Sequence, residues 1–146
     1  MTSGTSSFVT HRATITAEGA QRVLGAGVEK ATGLDAPSVI AVVDASGTLL
    51  AMLRMDGSPV IGAHLAERKA RTSILLGGAD TGQVAQAVHQ DAGRSAALSS
   101  VPDITILAGA TPIRIDGVVV GAVGVSSPSH AVEAEIATAA AESVAG

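Results

Sequence analysis

The chain has 146 residues, a formal charge of −4 and no cysteine, with 47% apolar and 15% charged residues. That balance suits a folded chain with one core and excludes the disordered class, while the missing cysteines exclude disulfides, thiolate nucleophiles and cysteine-ligated zinc or iron–sulfur sites. One Phe, no Tyr or Trp and no Lys/Arg run remove the stacking platforms and phosphate-binding surface that nucleic acids require, so no nucleic-acid partner is expected.

Residues 1–14, rich in Ser and Thr, read as a flexible N-terminal arm and 15–146 as a single domain. No run approaches the roughly 18 apolar residues of a membrane span, and the first ten residues lack the basic start and apolar centre of a secretory signal. The expectation is a cytoplasmic protein without membrane contact. Thr16 can cap a helix over 16–32, along which Ala20, Val23, Leu24, Gly27, Val28 and Ala31 recur at helical spacing. A β-branched run over 39–44, the turn at Ala45-Ser46-Gly47 and a second run over 48–54 predict a tight antiparallel hairpin. Ser58 as cap and Pro59 in the first turn open a helix over 60–76, which Gly77-Gly78 ends.

A weaker helical stretch covers 81–97, and Pro102-Asp103 breaks the chain. Strands are predicted over 104–107, 112–116 and 118–126, the last two joined by the hairpin signal Asp116-Gly117. Gly121 and Gly124 weaken the final strand unless something must approach its backbone closely. An Ala-rich helix over 129–144 closes the chain. The summed order is an α+β fold, a five-stranded antiparallel sheet flanked by helices. It excludes the alternating order of dinucleotide-binding folds, and no Walker or Gly-x-Gly-x-x-Gly loop is present.

The helix over 60–76 concentrates the chemistry. Ile61, Leu65, Thr72 and Leu76 trace an apolar stripe, and Lys69 falls on it. Either its stem packs while the ammonium snorkels to water, or the ammonium enters a pocket, there to pair a carboxylate ligand or, once deprotonated, act as base or amine nucleophile. His64, Arg68 and Arg71 form a cationic strip on another face, suited to solvent with Glu67 as counter-charge or to a carboxylate or propionate. Arg54 and Asp56, at the strand–helix junction, either pair with each other or face a cleft. His11, His64, His89 and His130 show no metal-ligand spacing, and no Gly-x-Ser-x-Gly elbow occurs.

The segments Val43-Asp44-Ala45-Ser46-Gly47-x-Leu49, Arg54-Met55-Asp56-Gly57, Lys69-Ala70-Arg71-Thr72, Pro112-Ile113 and Val120-Gly-Ala-Val-Gly-Val-Ser126 follow in an order that resembles the GlcG/HbpS-like (DUF336) family of heme-binding and related small proteins. The resemblance spans residues 15–145. It implies a profilin-like or roadblock-like α-β-α domain that assembles as a homo-oligomer, dimer or larger. It also implies a small-molecule ligand, with heme or a related tetrapyrrole first. His64 or His130 would then ligate the iron, Arg54, Arg68 or Arg71 would hold propionates, and Gly109 and Pro112 would line the pocket wall.

The chain departs from the family pattern at Ala108-Gly109-Ala110-Thr111-Pro112 and at Ser127-Pro128, and Glu133, with His130 just before it, replaces the usual acidic residue near the start of the last helix. Two other functions remain open at this level. One is a cofactor-independent lyase, hydratase or isomerase acting on a small oxygenated metabolite, with Lys69 as base or carbonyl-polarising group, Asp56 or Glu133 as its acid/base partner and the 109–112 backbone holding an oxyanion. The other is an oligomeric protein-interaction module.

Overall fold

In the computed structural model, which describes residues 6–145, Thr16 caps α1 (Ala17–Gly33) by accepting from the Gly19 amide, and Ala20, Val23, Gly27 and Ala31 form its buried stripe. β1 (Val39–Asp44) and β2 (Leu49–Arg54) make the expected hairpin, its turn tied by the Asp44 carboxylate accepting from the Ser46 and Thr48 amides. Next come α2 (Ile61–Leu75), α3 (Thr81–His89), α4 (Ala92–Ser99), β3 (Ala110–Ile115) and β4 (Val118–Ser126). A 3-10 turn (His130–Val132) leads into α5 (Glu133–Glu142). Asp116 and Gly117 both take positive φ, 52° and 77°, which is the turn geometry that matches strand twist in a two-residue hairpin.

The sheet is antiparallel throughout, in the order β2-β1-β4-β3. Each hairpin is local, and β1 joins β4 at the centre. Period-two alternation sends Ile40, Val42, Val123 and Val125 into a core shared with α1 and α5. Val39, Ala41, Val43 and Ala122 point the other way, towards Ala66, Ala70 and Ile74 of α2. Helices therefore cover both faces of the sheet.

With no aromatic side chain to fill the second layer, α2 lies directly against β4. Its buried residues are Gly62, Ala66, Lys69, Ala70, Thr72, Ser73 and Ile74, mostly small. A Cβ at Gly124 would collide with the Ala66 carbonyl oxygen and lie 2.8 Å from the Ala70 nitrogen. Here is the close backbone approach that a glycine inside a strand signals.

Several expectations are corrected. Among the described residues the sheet has four strands, because 104–107 is extended but has no strand partner there. Its alternation reflects Ile104 and Ile106 packing against Ala85 and Val88, while the Thr105 amide donates to the Thr72 hydroxyl at 2.9 Å. The stretch 81–97 is two helices, since the Asp91 carboxylate accepts from the Arg94 amide and starts a new one. Ser58 does not cap α2: Val60 occupies that position, and the Ser58 hydroxyl is buried without a hydrogen-bond partner among the described residues.

Ile61 belongs to no core stripe, being 62% exposed, because the small residues one position round the helix face the sheet instead. Residues 6–14 are irregular and exposed, although the Thr14 hydroxyl already accepts from the Ala45 amide. The rest of the expected arm, 1–5, lies outside the described residues. No helix among the described residues is long and apolar enough to cross a membrane.

Close packing at β4 makes an asymmetric prediction for two glycines. Gly124→Ala should lower unfolding stability by about 3 kcal/mol, the upper end for overpacking a core. Gly25→Ala, on α1 with open space around it, should raise stability by about 0.5–1 kcal/mol. Urea unfolding followed by circular dichroism checks both.

Candidate functional site

Just before the first residue of β3 the chain lies outside the sheet. Gly109 turns away with φ 118°, although its carbonyl still accepts from the Val125 amide at 2.8 Å. Two charged side chains from opposite layers meet at this place. Lys69 arrives from α2, and its Nζ donates to the Val125 carbonyl and to Glu133 Oε2, both at 3.0 Å. Glu133 starts α5, where the helix dipole favours a carboxylate, and its Oε1 accepts from the Ser127 amide at 2.8 Å. Both side chains are 2–3% exposed.

Burying an ion costs several kcal/mol in lost hydration, which only close pairing and further hydrogen bonds offset. Glycine at 109 makes the closure possible. A Cβ there would lie 2.7 Å from the Val125 oxygen and 3.1 Å from both Lys69 Nζ and Glu133 Oε2. On the solvent side stands His130, 85% exposed, with Nδ1 3.3 Å from Glu133 Oε1. The arrangement is a charge-paired interior with an imidazole at its surface. Lys69 thus neither snorkels nor opens onto solvent; the carboxylate it pairs with is the protein's own.

The other expected site residues separate. Arg54 and Asp56 line a cleft of about 410 Å³ with Thr32, Asp35 and Met55, and Arg54 Nη1 donates to the Ser58 carbonyl at 3.2 Å rather than pairing with Asp56. Asp56 is exposed there and is no part of the Lys69–Glu133 cluster. His64 and Arg68 are exposed on the outer face of α2. Arg71 is engaged, by Glu67 at 2.7 Å, Asp103 at 3.4 Å and the Gly47 carbonyl at 3.2 Å, so the strip retains one free arginine. Pro112 borders a different hollow, near Arg114 and Glu142.

Sequence reasoning missed three participants. The Val125 carbonyl and the Ser127 amide are backbone groups with no side-chain signature. Thr81, whose hydroxyl accepts from the Ala110 amide at 2.9 Å and so fixes the chain just after Gly109, reads in sequence only as a helix start. No group of three or more His and carboxylate residues able to hold a metal ion occurs among the described residues.

Comparison with known proteins gives consistent findings. Residues 15–142 match the family model described as "Haem degrading protein HbpS-like". Protein GlcG of Escherichia coli strain K12 is 39% identical over 107 residues, covering 73% of this chain and 77% of that protein. A double-mutant form of HbpS from Streptomyces reticuli superposes with a TM-score of 0.82 at 31% identity, covering 93% of this chain and 90% of that one. The structure of a PduOC:heme complex superposes with a TM-score of 0.81 at 26% identity, covering 90% and 95%.

Removing one member of the buried pair strands the other's charge. Lys69→Met and Glu133→Gln should each cost about 3–5 kcal/mol, whereas the double variant should cost less than their sum by about 1–3 kcal/mol. A double-mutant cycle in urea measures this; strict additivity would show that the pair does not couple.

Proposed function

The chain belongs to the HbpS-like family, and from that membership we propose that it is a small-ligand-binding protein whose ligand is heme or a related tetrapyrrole. The observation that carries the reading is His130. Its Nδ1 is met by a carboxylate that Lys69 and the Ser127 amide hold in place, so on an 85% exposed ring the other nitrogen is left to the outside. Metal-ligating histidines are oriented in this way, through a carboxylate on the second ring nitrogen. Similarity to a protein solved as a heme complex supports the same ligand.

The residue types that heme requires are present, an imidazole oriented by a carboxylate and exposed arginines, although they come from separate elements. His130 would bind the iron, with His64 on α2 as the second candidate imidazole. Arg54 and Arg68, which pair with no carboxylate among the described residues, would receive propionates, whereas Arg71 is already committed. Val60 and Ile61, among the most exposed apolar residues of the chain, sit one turn before His64 and offer apolar surface for a macrocycle. Heme, when bound, would supply a redox-active iron centre; the chain's part would be to present an oriented imidazole and counter-charges.

This reading takes 15–146 as a single profilin-like or roadblock-like α-β-α domain in a cytoplasmic homo-oligomer. It leaves Lys69 no role as a base, since its ammonium is buried and donates to two acceptors.

Titration of the purified protein with hemin, followed at the Soret band, should saturate at one heme per chain. His130→Ala should weaken binding by about 10–100-fold and shift the band, and His64→Ala should change it less. A featureless, non-saturating response would sink the heme reading, and loss with His64→Ala alone would move the axial ligand to α2.

A further inference from the structure

The helix that lies against β4 begins without the partners its backbone needs. Val60 takes the cap position of α2, no side chain caps it, and no acidic residue stands in its first turn. The Gly62 and Ala63 amides close back on the Pro59 and Val60 carbonyls at 3.1 and 3.0 Å, while the Val60 and Ile61 amides meet no acceptor among the described residues. Two orphan donors at the positive end of a 15-residue helix favour a negative charge. A helix end alone can be satisfied by water, so the side chains around it decide what it receives.

The sheet beneath supplies those side chains. Val39 pairs with Arg54 on one side and with Ser126 on the other, so the three form one row on the α2 face, on strands about 4.8 Å apart. Gly62 sits on that row: a Cβ there would lie 2.7 Å from Val39 Cγ2 and 3.4 Å from Ser126 Oγ. Ser126 is 9% exposed, and its hydroxyl, unlike the Ser127 amide and hydroxyl beside it, takes part in no hydrogen bond among the described residues. Ser58, 5% exposed and two residues before the cap, carries the second unpartnered hydroxyl. Arg54 closes the other side, since its Nη1 donates to the Ser58 carbonyl at 3.2 Å and so holds the guanidinium beside the start of α2. Buried hydroxyls left unpaired cost free energy unless water or a ligand completes them.

We propose that the start of α2 is a seat for the carboxylate of a small monocarboxylic acid, received by the Val60 and Ile61 amides and the Ser126 hydroxyl, with Ser58 and Arg54 beside them. Backbone amides at a helix start suit such an anion, and the planar fork of an arginine matches its two oxygens. Arg54 is the one permanent cation in the row and Asp56 lies close to it in sequence, a balance that suits one negative charge rather than the two of a phosphate. The Val60 and Ile61 side chains, 67% and 62% exposed, meet the remainder of the acid, which favours a short apolar tail over a second charged group. Lys69 and Glu133 take no part, each being satisfied within the buried pair. An acid without a tetrapyrrole suffices, so the seat stands whether or not heme is the ligand.

Sodium propionate is the probe, added to the purified protein at constant ionic strength, with sodium chloride as the control. In amide-resolved NMR spectra the Val60 and Ile61 resonances should shift saturably, with a Kd of about 1–10 mM. Ser126→Ala should weaken that binding by about 3–10-fold and Arg54→Gln by about 10-fold or more, both with the circular dichroism of the wild type. Because the Ser126 hydroxyl bonds to no other group among the described residues, its loss reports on the seat and not on the fold. Saturation by sodium phosphate in place of propionate would overturn the assignment to a single charge. Shifts that never saturate, or that Ser126→Ala leaves unchanged, would overturn the seat itself. A protein that takes hemin yet leaves these resonances unmoved by propionate would remove the seat and spare the heme reading.

Discussion

The ion pair between Lys69 and Glu133 ties together layers on opposite faces of the sheet. α2 lies on one face and α5 on the other, and the pair joins them just where β3 has not yet begun and β4 is about to end. Everything around it follows from the need to satisfy two buried charges. The Val125 carbonyl and Ser127 amide complete the hydrogen bonding, Gly109 leaves the volume, and the imidazole of His130 takes its direction from what remains of the carboxylate. The pair is thus a weak stabiliser against an apolar alternative but a strong constraint on geometry, as buried ion pairs are where they set register or orientation.

The absence of aromatic side chains from the core forms the second constraint. A core of Val, Ile and Ala must reach native density by bringing backbones together rather than by filling space with rings. Hence the glycine in β4 under α2, and hence the run of glycine, alanine and serine on the inner face of that helix. Small side chains leave little volume to redistribute, so the layer between α2 and β4 has few ways to absorb an added methyl group.

Local chemistry explains what could be read in the sequence. The Thr16 cap, the Gly47 turn and the Asp116-Gly117 hairpin depend on residues within a few positions, and all three form as expected. Lys69 stood out because a charge interrupted an apolar helical face, but its partner lies 64 positions away and no periodicity links them. The stretch 104–107 alternates like a strand because alternate residues are buried, and alternation is silent on whether a ladder partner exists. Arg71 looked available since its acceptors on Asp103 and Gly47 arrive from loops. The exposure of β2 was hidden for a similar reason: Leu49 to Leu53 resembles an interior strand, and only the strand order makes it an edge.

The strand order also implies an order in time. Both hairpins close over a few residues, whereas residues 39–44 find residues 121–126 only after the whole middle of the chain has been gathered. Closing that long loop carries the entropic cost, so the chain is kinetically two halves, each with a hairpin and at least one helix, that dock along a single seam. Lys69 comes from one half and Glu133 from the other, which makes their contact a late event. Substitutions there should act on the unfolding rate far more than on the folding rate.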